Sequence, residues 1–164
     1  MLIVFSGLPG VGKSTVARLV ARQLQAAYVR IDTIEQTLRE HGSTGPIGPE
    51  GYLVAYRVAA DNLALGVSVV ADCVNASEVP RLEWRKVARD QGAPHLFVYL
   101  VCPDREEHRR RAEQRTADLP GHVLPSWADI EGMPFAPPPP DALVLDTFRR
   151  TPEEAALEVI RRAL

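Results

Sequence analysis

Four residues near the start of the chain, Gly7, Gly12, Lys13 and Ser14, fall at the spacing G-x-x-x-x-G-K-[ST]. That pattern suits the capture of a phosphate chain. Glycines at 7, 10 and 12 let the backbone turn tightly enough for consecutive N–H groups to point inward at phosphate oxygens. A helix beginning near Lys13 adds the partial positive charge of its N-terminus. The Lys13 ammonium reaches toward β- and γ-phosphates, and the Ser14 hydroxyl is a ligand for Mg²⁺. Thr15 either helps the helix begin or touches the α-phosphate. The expected nucleotide-binding set is Gly7, Gly10, Val11, Gly12, Lys13, Ser14 and Thr15, with ATP and Mg²⁺ as the implied ligands.

Further candidates lie far away in sequence. Asp72 closes the run VSVVAD, a hydrophobic stretch ending in a carboxylate of the kind that stands beside Mg²⁺, directly or through water. Hydrolytic ATPases commonly carry a Glu straight after this Asp to activate water; here the next residue is Cys73. Asp32 ends a second apolar run, where it could accept a proton from an attacking hydroxyl. It also opens D-x-x-E with Glu35, a pattern that resembles a helix capping box. Asn75 is a candidate contact to phosphate, metal or substrate, or a simple turn former. Arg39 faces either substrate or solvent. Arg109, Arg110, Arg111 and Arg115 crowd one stretch. Two or three of them have partners in Glu106, Glu107 and Glu113, and Arg115, then Arg111, are the candidates for contact with a transferring phosphoryl group. The four histidines show no metal-ligand spacing, and no Ser-His-Asp or Cys-His arrangement can be argued.

The elements that must position these residues alternate. Apolar runs at Leu2–Phe5, Ala27–Ile31, Val67–Ala71, His95–Val101 and Leu143–Leu145 read as strands buried on both faces. Between them, helical spacing is expected from Lys13 to near Gln25, Thr33 to Glu40, Tyr52 to Leu65 with Gly66 as its cap, Ser77 to Gly92, Asp104 to about Arg115, and Pro152 to Leu164. Gly42–Gly51 is a Gly/Pro loop expected near the substrate. Residues 118–140 hold seven of the fourteen prolines and little periodicity, which predicts a long irregular lid or substrate segment. Strand–helix alternation implies a parallel sheet with helices on both faces, and ligands bind such sheets at the carboxyl ends of the strands. That rule gathers Gly7–Thr15, Asp32, Asp72, Cys102 and Asp146 along one edge.

The chain of 164 residues fits a single domain over 1–164, and its 46% apolar and 24% charged content is ordinary for a globular protein. A formal charge of −2 argues against nucleic acid as an obligatory partner. Cys73 and Cys102 read as small buried hydrophobes rather than a disulfide framework. No apolar run is long enough for a membrane span or a leader, so a cytoplasmic protein is expected. Nothing in the sequence speaks to oligomeric state.

GLPGVGKST, IDTIEQTLR (Ile31–Arg39), VVADCVN (Val69–Asn75) and an Arg-x-x-x-Arg helix leading to a lid together resemble the small P-loop phosphotransferase family. That family includes adenylylsulfate kinase, gluconate kinase, chloramphenicol phosphotransferase, zeta toxins and the kinase domain of polynucleotide kinase. The resemblance implies a three-layer α/β P-loop kinase fold with strand order 2-3-1-4-5, an Asp at position 32 as base or hydroxyl binder, and a lid arginine near Arg115. The segment PGHVLPSWADIEGMPFAPPPP matches none of those enzymes' substrate elements. The leading expectation is an ATP-dependent kinase acting on a hydroxyl of a small molecule such as a sugar, nucleoside or antibiotic-like acceptor. In it Lys13, Arg111 and Arg115 stabilise charge, Ser14 and Asp72 hold Mg²⁺, Asp32 is the base, and Arg39 and Asn75 meet substrate. The alternatives are a polynucleotide or nucleotide kinase, or a nucleotide-driven ATPase or switch. The missing Glu after Asp72 counts against hydrolysis, and the lack of D-x-x-G and N-K-x-D counts against a GTPase.

Overall fold

The computed structural model describes residues 1–42, 45 and 47–164. Strand β1 (Leu2–Ser6) runs through the phosphate-loop sequence into helix α1 (Lys13–Leu24). Strand β2 (Ala27–Arg30) leads directly into α2 (Ile31–His41), and α3 (Glu50–Ala64) precedes β3 (Val69–Asp72). Helix α4 (Glu78–Asp90), strand β4 (His95–Val101), helix α5 (Arg105–Gln114), the short α6 (Trp127–Glu131), β5 (Leu143–Asp146) and α7 (Pro152–Ala163) complete the order. The sheet is wholly parallel in the order β2-β3-β1-β4-β5. Among the described residues no helix is long and apolar enough to cross a membrane.

Two-residue alternation along the strands divides the core into two layers. Ile3, Phe5, Val70, Val98 and Leu100 pack against Val16, Ala17 and Val20 of α1 and Ala155, Ala156 and Val159 of α7. Leu2, Val4, Val69, Ala71, Phe97 and Tyr99 face the opposite way, toward Ala55 and Ala59 of α3 and Trp84 and Ala88 of α4. Trp84 is fully buried and meets Tyr56 edge-on at 4.6 Å between ring centroids. A side chain of this size contributes on the order of 2–3 kcal/mol by leaving water, so the α3–α4 layer is anchored there. Cys73 and Cys102 are free and buried.

Several sequence expectations shift. Helix α2 starts at Ile31, two residues earlier than expected, because the chain turns straight from strand to helix after Arg30. Glu50 and Gly51 belong to α3 rather than to the preceding loop, and of the Gly42–Gly51 stretch, residues 43, 44 and 46 lie outside the described residues. Leu65 caps α3, with Gly66 following at φ 79°. Ser77 sits at the N-cap of α4 but its side chain makes no capping bond. Residues 118–140 contain α6, which is closed by a reciprocal capping box between Ser126 and Asp129 and buries Ile130. One helical turn with a single buried anchor leaves no periodicity to read.

That segment is strapped across the sheet edge rather than hanging free. Arg81 of α4, only 5% exposed, donates to the carbonyls of Ala136 and Pro137 at 2.6 Å each and to that of Asn75 at 3.3 Å. Its guanidinium lies 5.0 Å from the Tyr99 ring and 5.9 Å from that of Phe135. Ala136 also donates its backbone N–H to Ala76 O at 2.8 Å.

Candidate active site

The phosphate loop is built by two different demands on glycine. A Cβ at Gly7 would stand 2.5 Å from the Leu100 carbonyl oxygen, so the loop's first residue must be bare to pass β4. Gly12 is the N-cap of α1 in the left-handed region at φ 95°, and a Cβ there would meet nothing within 4 Å. Backbone conformation requires the glycine at 12, and the open space beside it suits an incoming phosphate. The far side of the loop is held by α5, where His108 donates from Nε2 to Pro9 O at 2.8 Å. Lys13, 9% exposed, donates from Nζ to Leu8 O at 3.0 Å. Burial lowers its pKa, against the opposing pull of Asp72 and Asp32.

Register brings the two carboxylates of the strand ends together. Asp72 pairs with Phe5 on one side and Arg30 on the other, at the carboxyl edge of the three neighbouring strands. It is 3% exposed; its Oδ2 accepts from the Tyr28 hydroxyl at 2.6 Å and lies 4.0 Å from Arg30 Nε. Its Oδ1 accepts nothing among the described residues, so one oxygen stays available. No cluster of three or more His, Cys, Asp or Glu capable of holding a metal exists among the described residues. A divalent ion would therefore be held by the Ser14 hydroxyl and Asp72, with phosphate and water oxygens completing the shell, the habit of Mg²⁺. Cys73 next to it is buried, which raises its pKa and keeps it a thiol.

Asp32 is the second residue of α2. The cap position belongs to Arg30, which makes no side-chain capping bond, so the capping-box reading of Asp32 and Glu35 does not hold. Among the described residues the one partner of the Asp32 carboxylate is Arg30, with Nη2 at 3.4 Å. Arg30 is the hub that sequence reasoning missed. It also grips Asp118 through Nη1 at 2.9 Å and Nη2 at 3.0 Å, and Arg18 of α1 holds the same carboxylate. The two guanidiniums, by hydrogen bonding, hold the Asp118 carboxyl well below the usual range. An arginine closing a strand beside Asp32 was the only available signal; its partners lie 42 and 88 residues away.

The arginine-rich helix divides as charge pairing requires. Arg109 pairs with Glu113 at 2.8 Å, Arg110 with Glu107 at 2.7 Å, and Arg111 with Glu107 at 2.6 Å. Arg111 also donates to Thr147, to Oγ1 at 3.2 Å and to the carbonyl at 3.1 Å, and so joins α5 to the loop after β5. Arg115 stands just past the helix as its C-cap, with extended backbone. It makes no ion pair among the described residues, its Nε is buried without a partner, and burial lowers its pKa. Arg39 pairs with Glu35 at 3.3 Å, one turn away. Burial raises the Glu35 pKa, and Arg39 opposes that.

Asn75 does not reach the site. It is fully buried at φ 51°, donating from Nδ2 to Ser6 Oγ at 2.8 Å, while its backbone N–H meets the Tyr52 hydroxyl at 3.1 Å. Its side chain ties the end of β1 to the turn after β3, beneath the loop. Asp146 is spent on backbone, accepting from Phe148 N at 2.8 Å and thereby shaping the turn over 147–151.

Two cavities meet at the loop. The larger, about 710 Å³, brings Lys13, Ser14, Asp32, Asp72 and Arg115 to one space, walled by Arg39 of α2 and by Asp118, His122 and Leu124 of the proline-rich segment. The smaller, about 360 Å³, lies between Val11, Thr15 and the turn Thr147–Pro152. Gly12, Thr15 and Arg111 border both.

Residues 2–129 match a family model described as an AAA domain. No curated protein matches the chain. Among solved structures, a putative kinase from Chloroflexus aurantiacus is 19% identical and superposes with a TM-score of 0.79, over 99% of this chain and 97% of that one. The APS kinase of Mycobacterium tuberculosis, solved in complex with AMPPNP and APS, is 24% identical with a TM-score of 0.67, over 98% and 95% of the two chains. A gluconokinase from Sinorhizobium meliloti is 21% identical with a TM-score of 0.69, over 98% and 91%. At these identities the likeness is one of fold.

Proposed function

Because the chain belongs to this AAA-domain family and has the fold of P-loop kinases, we propose that it is an ATP-dependent kinase that transfers the γ-phosphoryl group to a hydroxyl of a small molecule. The observation that carries the reading is the sharing of one cavity by Lys13, Asp32, Asp72 and Arg115, with a second cleft on the far side of Gly12. The smaller cleft has the place and the partly apolar lining for a nucleoside, the loop lies at the junction for the phosphates, and the larger cavity is left for an acceptor.

In this arrangement each residue has one task. The N–H groups from Gly10 to Thr15 bind phosphate oxygens, and Lys13 exchanges its bond to Leu8 O for one to phosphate. Ser14 and Asp72 would hold Mg²⁺, which would supply charge neutralisation to the phosphates. Arg115, which has no carboxylate partner among the described residues, places its guanidinium on charge that grows during transfer. Asp32 orients the acceptor hydroxyl and takes its proton. The segment 118–133 covers the cavity and limits water, which favours transfer over hydrolysis.

The test is release and transfer of label from γ-labelled ATP with Mg²⁺, with and without a panel of sugars, nucleosides and aminoglycosides. Label should appear on an acceptor at a rate well above release to water, and Lys13→Ala should remove both. Fast release to water that no acceptor alters would overturn the reading in favour of an ATPase.

A further inference from the structure

The larger cavity is lined by cations of two kinds, those with a carboxylate partner and those without. Beside the loop, Lys13 and Arg115 have no carboxylate within ion-pair distance among the described residues. The rest of the wall carries four more guanidiniums, each already engaged, and of these Arg111 holds Glu107 at 2.6 Å. Arg18 and Arg30 share Asp118, Arg30 also meets Asp32 at 3.4 Å, and Arg39 holds Glu35 at 3.3 Å. Arg30 also lies 4.0 Å from Asp72 Oδ2, so each of these four cations has a carboxylate partner. The same lining includes Val74, Leu124, Pro125 and Met133, together with His122.

An anionic group meeting this part of the wall finds no unpaired cation among the described residues. To bind, it must draw a guanidinium away from its carboxylate and leave that carboxylate unpaired in a partly desolvated wall, an arrangement that costs affinity. A hydroxyl compound meets no such obstacle. Asp32 and Glu35 lie one turn apart on α2 and both line the cavity, so they can accept from neighbouring hydroxyls. The four apolar side chains suit a ring face or an apolar substituent.

Resting on the kinase reading above, we propose that the acceptor is an uncharged polyhydroxyl compound with an apolar face, and that this cavity selects against acceptors bearing phosphate, sulfate or carboxylate.

The test uses matched acceptors at saturating Mg·ATP: D-glucose against D-gluconate and D-glucose 6-phosphate, and uridine and thymidine against their 5′-monophosphates. Within a pair that is phosphorylated, kcat/KM should favour the neutral member by about 100-fold or more. Glu35→Gln releases Arg39 and should narrow that ratio by about tenfold, leaving the rise in melting temperature with Mg·ATP unchanged. Equal use or preference for the charged member overturns the proposal. So does a ratio that Glu35→Gln leaves unmoved, because the pairing of Arg39 would then not be the source of selection. No transfer to any neutral member, with Mg·ATP still stabilising the protein, also overturns it and leaves the nucleotide site standing. Absence of any Mg·ATP stabilisation removes the kinase reading and this inference with it.

Discussion

Asp32 is released from helix duty by where α2 begins. With Arg30 at the cap and Asp32 already inside the first turn, the carboxylate makes no capping bond, and its one contact is the 3.4 Å pair with Arg30. Replacing it should therefore report on chemistry. Asp32→Asn is expected to fold with a stability change of a few tenths of a kcal/mol, about the size of an exposed-pair effect, and to bind Mg·ATP normally. Phosphoryl transfer should fall by roughly 100-fold, the low end for loss of a general base because the transition state is loose. Transfer within about threefold of wild type would remove Asp32 from the chemistry. The residue's position at the strand end was legible from the apolar run before it and the helical spacing after it. Its true partner was not, since Arg30 reads as one more strand residue, and only folding brings Asp72 and Asp118 to it.

At the scale of elements, the proline-rich segment is the least legible part of the chain and the one with most bearing on the acceptor. Its proline content announced a segment without long regular structure, which the single turn of α6 fits. The straps could not be read, because Arg81 and the carbonyls of residues 136 and 137 are more than fifty positions apart and carry no local pattern. Arg81 secures the C-terminal part, whereas the N-terminal part is held by Asp118 between Arg18 and Arg30 and by Gln36, which donates from Nε2 to Pro120 O at 3.2 Å. These attachments differ in kind: the first is buried, the second half open to solvent, so residues 118–125 should open first. Asp118→Asn is expected to speed protease cleavage within 118–125 about fivefold over wild type at pH 7, as loss of an exposed charged contact of about 1 kcal/mol would allow, with no new cuts at 133–140. In the wild type, the depressed Asp118 pKa means that this attachment is present above the unfolded carboxyl value of about 3.9 and is lost only as pH falls below it. Cleavage should therefore be flat from pH 5 to 8. First cuts at 133–140, or a steep change across that range, would show that Asp118 is not the fastening.

For the whole molecule, nucleotide binding should act as a clamp on parts that touch each other little without it. The strands, both helical layers and the loop were readable because each follows from local periodicity and from glycine chemistry within a few residues, whereas the strand order came from the family resemblance. The meeting of α1, α5 and the turn after β5 around one loop was not, since it depends on tertiary contacts such as Arg111 to Thr147 and His108 to Pro9. A nucleoside triphosphate in the two cavities would touch α1 through Thr15, α5 through Arg111 and the turn through Thr147–Pro152 at once. A ligand that binds only the folded chain stabilises it by RT ln(1 + [L]/Kd), about 2.7 kcal/mol at 100 times Kd. For a chain of this size that is a rise of roughly 5–11 °C in melting temperature. Chelating Mg²⁺ should reduce the rise, because Ser14 and Asp72 then lose their share of the binding energy. Lys13→Ala should nearly abolish it while leaving the ligand-free protein folded, since removing the ammonium gives up one bond to Leu8 O and relieves the burial that lowers its pKa. Calorimetry of both proteins with ATP, with ATP and Mg²⁺, and without ligand separates these outcomes. A wild-type protein whose melting temperature ignores Mg·ATP would contradict the nucleotide site on which the proposed chemistry depends.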